Sequence, residues 1–146
     1  MKQKVASFRD LTIYQKSYNA AIIVIKHIIP KLPEEEKFDL ANQLRRSVKA
    51  IPRLIAEGYS KRHQRKGFQK YLDDALAESN ETIVSISQTR DIYNVESDLC
   101  TKMIEEYEII SRQIYRLASV WVSFDARKPH DVEKNHFEHP NPNPYQ

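Results

Sequence analysis

Apolar residues recur every three or four positions along four long segments of the chain, the spacing of α-helices that bury one side. Short connections separate these segments, and short connections join helices that run antiparallel to each other. The pattern therefore predicts an all-α fold, an antiparallel up-down-up-down four-helix bundle. The predicted helices run from about Asp10 to Ile29, from Pro33 or Glu34 to Glu57, from between Lys61 and Gly67 to about Tyr93, and from about Ser97 to Trp121 or Phe124.

The second predicted helix carries a clear apolar stripe, and two further residues are expected to shape it. Pro52 lies inside the pattern, removes one backbone hydrogen bond and predicts a kink. Gly58 follows the last apolar residue and is expected to end the helix as its C′ residue. The stripe expected to face the core consists of Leu40, Leu44, Val48, Ile51 and Ile55.

The first predicted helix, by contrast, is apolar on nearly all sides. A helix of this kind is buried on two sides, so either a second subunit covers its outer side or its core face is unusually wide. The stripe expected to face the core comprises Leu11, Tyr14, Tyr18, Ile22, Ile25 and Ile29. Further apolar residues lie off that stripe, namely Ile13, Ala20, Ile23 and Val24.

The composition agrees with a single helical domain followed by a polar tail. A length of 146 residues favours one domain, and the presence of only two glycines disfavours a turn-rich β fold. Cys100 is the only cysteine, so it has no intramolecular disulfide partner and is expected to be a small buried filler. From Asp125 onward the sequence is polar, proline-rich and aperiodic. We therefore expect a bundle domain over residues 1–124 and a disordered or loosely docked tail over residues 125–146.

Several classes of function find no support in the motifs. No apolar segment is long enough for a signal sequence or a membrane span, which predicts a cytoplasmic protein without a membrane partner. The five histidines form no helical pair that would bind a metal, so neither a metal nor a cofactor is predicted. Since the chain also has no phosphate-binding loop, nucleophile motif or catalytic dyad, no residue is assigned a catalytic role and no enzyme activity is expected.

The charge is concentrated on one segment between Arg45 and Lys70. This segment holds nine Lys or Arg and a single acid, Glu57, whereas the whole chain has a formal net charge of only +3. Such a field indicates an anionic partner, with RNA or DNA as the leading candidate. The predicted binding residues point away from the apolar stripe or follow it in the next turn: Arg45, Arg46, Lys49, Arg53, Lys61, Arg62, Arg65 and Lys66. The alternative is a solvated surface balanced by acids of a neighbouring helix, such as Glu105, Glu106 and Glu108.

No base-reading motif is present, so recognition is expected to follow the backbone and shape of the nucleic acid. Tyr59 and Phe68 flank the basic turn and could stack on bases, although a packing role is favoured for Phe68. The lone acid Glu57 is interpreted as a structural partner of Arg46 or Arg53. A further hypothesis pairs Glu81 across the core with Arg45 or Arg46, which would fix the helix register.

Three stretches of the sequence resemble one known family. FRDLTIYQKSY, QLRRSVKAIPRLIAEG and FQKYLDDALAESNET are similar to small four-helix-bundle proteins encoded by intervening sequences in bacterial large-subunit ribosomal RNA genes. The most specific part is Arg45-Arg46 followed by Ile51-Pro52 and by Ile55 to Gly58, and the resemblance extends from about Phe8 to Trp121. The chain departs from the family pattern at Arg53-Leu54, at Ala77-Glu78-Ser79 and at Tyr14.

The resemblance implies a four-helix bundle, a homopentamer and nucleic-acid binding. The family is also similar in architecture to the accessory protein of diversity-generating retroelements, a pentameric barrel that works beside a reverse transcriptase. The residues and the resemblance together predict a non-enzymatic, oligomeric protein that binds RNA or DNA without strong sequence readout. The alternative is a protein-interaction scaffold, including an accessory subunit of a retroelement reverse transcriptase.

Overall fold

Four long helices make up most of the chain in a computed structural model, which describes residues 4–64 and 66–121. Helix α1 spans Thr12–Ile23, α2 spans Leu40–Ser60, α3 spans Gly67–Tyr93 and α4 spans Ser97–Trp121. Short 3₁₀ turns occupy Phe8–Asp10, Ile29–Lys31 and Glu34–Glu36, and a π-helical turn occupies Val24–Ile28. The described ranges contain no β-strand, which confirms the all-α prediction. The tail expected after Asp125 lies outside the described residues.

The four helices form a closed circuit in which each packs against its neighbours along the chain. Helix α3 packs against α2 and α4. Helix α1 also packs against α2 and α4, which closes the circuit. Contacts along the α2–α3 pair show opposite directions: Ser47 bonds to Thr82, and Gly58, further along α2, faces Tyr71, earlier in α3. The predicted up-down-up-down bundle is therefore confirmed.

The core confirms the predicted stripe of α2. Its members are fully buried or nearly so: Leu40, Leu44, Val48, Ile51 and Ile55. Residues from the other three helices meet them, among them Ile28, Phe68, Leu72, Ile86, Tyr107, Ile110 and Ile114. Helix α2 has polar residues on its opposite side, so burial of the stripe leaves the charged side chains in water.

The predicted core stripe of α1 is right at its two ends, where Leu11 and Ile29 are buried, and wrong in its middle. Tyr18 and Ile22, two of its members, are 49% and 39% exposed. The side that enters the core instead carries Ile13, Ser17, Ala20, Ala21, Val24 and Ile28. Because α1 is apolar all round, the pattern does not fix its rotation, and small side chains such as those of Ser17 and Ala20 let the neighbouring helices approach closely. The outer apolar side predicted for this helix is therefore real, but it is formed by Tyr18 and Ile22, two residues assigned to the core.

The second helix begins later than predicted. Glu34–Glu36 form a separate 3₁₀ turn, and α2 starts only at Leu40. The carboxylate of Glu36 accepts a hydrogen bond from the backbone N–H of Leu40 at 3.0 Å, and a second from the hydroxyl of Tyr93 at the end of α3. The acid at this position thus satisfies a free N–H group of the helix start from outside the helix.

Gly58 does not end α2, contrary to the prediction. The helix continues through Pro52 and Gly58 to Ser60, and Gly58 is buried within it. A Cβ atom added at Gly58 would lie 2.6 Å from Cβ of Tyr71 and 2.9 Å from Cδ1 of Phe68. Glycine is therefore required because α2 and α3 nearly touch here, and not because the chain must turn.

Hydroxyl groups inside the bundle join three of the helices. Oγ of Ser79 on α3 lies 2.7 Å from Oγ of Ser111 on α4. Three residues later, Thr82 donates a hydrogen bond to Oγ of Ser47 on α2 at 2.8 Å. All four side chains are buried, and each hydroxyl has a partner, so these small polar residues permit close packing without an unsatisfied group.

Candidate nucleic-acid interface

The outer face of α2 presents the predicted cations to solvent. Arg46, Lys49 and Arg53 are exposed, whereas Arg45 is half-buried. Their positions follow from the helical repeat, because residues three, four and seven positions apart share one side of a helix. Burial of the apolar stripe on the other side of α2 thus fixes the direction in which this cationic face points.

None of these four cations forms an ion pair with a carboxylate in the described part of the chain. The same holds for Lys61 and Lys66 in the turn that follows α2. The described ion pairs lie elsewhere on the surface, namely Lys31–Glu96, Lys37–Glu34 and Arg90–Asp91. The structure therefore leaves the cationic face available for anions from outside the protein.

The turn between α2 and α3 holds one cation firmly and leaves another free. The guanidinium of Arg62 lies 4.1 Å from the ring centroid of Tyr59 and donates a hydrogen bond of 2.9 Å to the Tyr59 carbonyl. Lys66 is exposed, and Nζ of Lys61 lies 5.6 Å from the ring centroid of Tyr71. Arg65, which was predicted to bind, lies outside the described residues.

The aromatic residues near this turn serve packing. Phe68 is fully buried and makes edge-to-face contacts with Tyr59 and Trp121, with ring centroids 6.1 and 4.8 Å apart. Tyr59 is 7% exposed. Neither ring offers a free face to a base, so the packing interpretation is confirmed for Phe68 and the stacking hypothesis is wrong for both. Trp121 Nε1 also donates a hydrogen bond to the carbonyl of Arg62, which ties the basic turn to the end of α4.

A groove of about 520 Å³ runs between α2 and α3 beside the cationic face. Arg46, Lys49 and Arg53 line it from α2, and Glu78 and Glu81 line it from α3. Its remaining lining residues are Gln43, Ser47, Ala50, Leu54 and Glu57. The predicted cations thus share their surroundings with carboxylates that are distant in sequence.

The carboxyl groups of Glu78 and Glu81 lie next to each other. Partial burial is the main cause that raises the pKa of Glu78, and the negative charge of Glu81 and a hydrogen bond with it raise this pKa further. The guanidinium of Arg46 acts in the opposite direction, but it does not outweigh these effects. Glu78 therefore ionises less readily than an ordinary glutamate, even though arginines line the same groove.

The two ion-pair hypotheses for Glu57 and Glu81 are not supported. Glu57 lines the groove near Arg46 and Arg53, but within the described residues it forms no ion pair with either. Glu81 is exposed at the surface, while its neighbour Thr82 occupies the core position and bonds to Ser47. Hence a hydroxyl pair, and not a charge pair, crosses between α2 and α3 at this level.

Sequence reasoning proposed the wrong acids as neighbours of the cations. Glu105, Glu106 and Glu108 lie on α4, which packs against α3 and α1. The acids beside α2 are instead Glu78 and Glu81 on α3. The spacing of Asp74, Glu78 and Glu81, at intervals of four and three, was the signal that could have indicated an acidic face on that helix.

The described residues form neither a cluster of metal ligands nor a membrane-spanning helix. Within residues 4–64 and 66–121, no group of three or more metal-ligating side chains is present. No helix over the same ranges is long and apolar enough to cross a membrane. Cys100 is buried and its Sγ donates a hydrogen bond to the carbonyl of Val95, as expected for a packing residue. The three histidines after Asp125 lie outside the described residues.

The fold and this surface define the class of protein, a small antiparallel four-helix bundle with an exposed cationic helix face. The profile of one family, the 23S rRNA-intervening sequence protein, matches residues 9–116. This match covers most of the chain, and the chain belongs to that family. The resemblance of the three sequence stretches is thereby confirmed. No curated protein matches the chain.

Proposed function

We propose that this chain is a non-enzymatic, oligomeric nucleic-acid-binding protein of the cytoplasm. The outer face of α2 and the α2–α3 turn hold the backbone of RNA or DNA in this proposal. The observation that carries it is the row of exposed cations, Arg46, Lys49 and Arg53, that have no carboxylate partner in the described chain. Cations placed in this way gain most from phosphates, because binding relieves their mutual repulsion and releases counterions.

The dimensions of the cationic face suit an extended polyanion. From Arg46 to the end of α2 at Ser60 the helix rises about 21 Å, at ~1.5 Å per residue. Lys61 and Lys66 then extend the positive charge beyond the helix end. This length is about two thirds of one turn of a nucleic-acid duplex, so several phosphates can contact the face at once.

We also propose that copies of the chain associate through the outer side of α1, as a homopentamer in keeping with the family resemblance. The exposure of Tyr18 and Ile22 supports this proposal, because a helix side that is apolar and exposed gains from being covered. A ring repeats the cationic face and strengthens weak contacts by avidity. Replacing Tyr18 and Ile22 by Ser is expected to reduce the mass seen by native mass spectrometry, and an unchanged mass would contradict this interface.

Salt dependence tests the nucleic-acid proposal. In the variant with Arg46→Glu, Lys49→Glu and Arg53→Glu, affinity for duplex DNA and for RNA is expected to fall at least about tenfold. The slope of log affinity against log salt is expected to flatten by about 2–3, since each lost phosphate contact removes close to one released counterion. Arg45 is left unchanged because it is half-buried.

A matched control separates local contacts from net charge. Lys4→Glu, Lys26→Glu and Lys102→Glu make the same change in charge at exposed positions outside α2 and its turn. This variant is expected to retain most of the affinity and the salt slope. If both variants bind equally, or if the unmodified protein shows no salt slope, the phosphate proposal is wrong. The remaining prediction would then be a scaffold for an acidic protein, including a reverse transcriptase, which affinity capture with that protein would test.

A further inference from the structure

The groove between α2 and α3 has walls of opposite charge. Arg46, Lys49 and Arg53 line the α2 side, and Glu78 and Glu81 line the α3 side. A surface that only holds phosphates gains nothing from two carboxylates at this place, because they repel the ligand. The carboxylates of Glu78 and Glu81 therefore favour a ligand that carries other polar groups in addition to its negative charge.

The two walls do not close on each other. No ion pair joins the α2 cations to Glu78 or Glu81 in the described structure, although Arg46 is near enough to influence the charge of Glu78. Between the walls lie Ser47, which is buried, and the half-buried Ala50 and Leu54. A ligand group can thus enter between the cations and the carboxylates and contact both.

The chemistry of the walls specifies what such a group must carry. Guanidinium and ammonium groups bind a phosphate, whereas carboxylates accept hydrogen bonds from N–H or O–H donors. A nucleotide has both features, since it carries a phosphate together with ribose hydroxyls near the backbone and N–H donors on the edge of its base. A volume of about 520 Å³ also lies in the range of sites that bind small ligands.

An unpaired nucleotide can turn its phosphate and its donor groups toward the two walls separately, because its backbone and base are free to rotate. A duplex offers its phosphates and its remaining donors, the base amines in the major groove and the ribose hydroxyls of RNA in the minor groove, only at fixed positions. Single strands turn their base edges outward and are recognised through them. We propose that the groove binds one nucleotide of an unpaired strand, an inference that rests on the proposed nucleic-acid function. The phosphate of this nucleotide contacts the α2 cations, and one of its N–H or O–H groups donates a hydrogen bond to Glu78 or Glu81.

Strand preference provides the test. Four fluorescent probes with equal numbers of phosphates are compared by anisotropy. Three are single strands of about twelve nucleotides, namely oligo(rC), oligo(dC) and oligo(rU), and the fourth is an RNA hairpin duplex. The unmodified protein is expected to bind oligo(rC) about tenfold more tightly than the duplex, the effect of one hydrogen bond to a charged acceptor. If the ribose hydroxyl is the donor, oligo(rU) binds as well as oligo(rC). If the base amine is the donor, oligo(dC) binds as well as oligo(rC).

The variant Glu78→Gln, Glu81→Gln keeps the shape of both side chains and removes their charge. Its preference for oligo(rC) over the duplex is expected to fall to about threefold or less, because a neutral acceptor binds a donor roughly half as strongly. Glu35→Gln, Glu105→Gln makes the same charge change at exposed positions outside the groove and is expected to retain the full preference. Circular dichroism tests whether both variants fold. If the double variant at Glu78 and Glu81 does not fold, Glu78→Gln and Glu81→Gln are measured separately.

Two results would overturn the inference while leaving the proposed function intact. One is equal, salt-dependent binding of all four probes by the unmodified protein. The other is a variant at Glu78 and Glu81 that binds single strand and duplex more tightly by the same factor, which would mean that the carboxylates only repel phosphate. Absence of salt-dependent binding to every probe would instead contradict the proposed function itself.

Discussion

Helices α1 and α2 differ in how their sequences fix their orientation. Every apolar residue in the stripe of α2 is buried, and Arg46, Lys49 and Arg53 point outward. Helix α1 buries Ile13 and leaves Ile22 partly exposed, although the two side chains are equally apolar. The comparison teaches that charged residues, more than apolar ones, determine the rotation of a helix in this bundle. In α1, where Lys16 is the single charged residue, the packing of neighbouring helices decides.

The largest expected difference between the two helices is in stability. Ile51→Ala on α2 removes a fully buried side chain and is expected to lower the free energy of unfolding by about 2–5 kcal/mol. Ile22→Ala on α1 removes a side chain that is already partly in water and is expected to cost less than about 1 kcal/mol. Urea denaturation at low protein concentration measures both. Equal losses would mean that the outer side of α1 belongs to the core.

A smaller effect is expected from Gly58→Ala. Alanine normally stabilises a helix relative to glycine by about 1 kcal/mol, but its Cβ would lie 2.6 Å from Cβ of Tyr71. Overpacking of this kind is expected to reverse the sign and to destabilise the protein by about 1–3 kcal/mol. Thermal denaturation detects the change, and a rise in the melting temperature would show that α2 and α3 are not in close contact at this point.

The smallest effect concerns Glu78, on the side of α3 that faces the polar side of α2, and depends on pH. Because the pKa of Glu78 is raised in the folded protein, folding favours its protonated form. The stabilisation from this group is complete below its ordinary pKa of 4.5 and is lost as the pH rises through the folded value. Glu78→Gln cannot ionise, so it is expected to be slightly more stable than the unmodified protein at neutral pH, with the difference vanishing near pH 4.

The opposite trend would contradict the assignment of neighbours to Glu78. If the variant were less stable at neutral pH, the ionised carboxylate would have to be held by Arg46 more strongly than burial and Glu81 oppose it. Glu105→Gln, on an exposed site of α4, controls for the change in net charge. Denaturation curves over a pH series distinguish the two cases.

Much of the fold follows from local sequence, for physical reasons that differ between elements. The third helix was predicted to end at about Tyr93, and the next residue, Asn94, has the left-handed backbone that asparagine tolerates, with a φ of 53° and its N–H donating to the carbonyl of Arg90. The stripe of α2 was predicted because polar residues flank it. Gly58 was assigned the wrong role, because a close approach of two helices depends on residues such as Tyr71 that are distant in sequence.

Only the cationic side of the candidate site could be predicted from the sequence. The cations from Arg46 to Arg53 form a local cluster, so the sequence alone reveals them. The opposing wall of Glu78 and Glu81 depends on how α3 is rotated and how far it is shifted against α2. That register is fixed by contacts such as Thr82 with Ser47, which no periodicity of a single helix encodes.

The hydroxyl pairs Ser79–Ser111 and Thr82–Ser47 also limit how the molecule can move. If α3 slid by one turn, about 5.4 Å, Ser47 and Thr82 would keep their bonds to the carbonyls of Leu44 and Glu78 in their own helices. Ser79 and Ser111 would lose their partners on the neighbouring helix, at a cost of ~1–3 kcal/mol for each unsatisfied group. These contacts therefore oppose sliding of α3 against its neighbours. In an assembly of several copies, one subunit would influence the next by changing its tilt at the shared surface, while its internal helix register stays fixed.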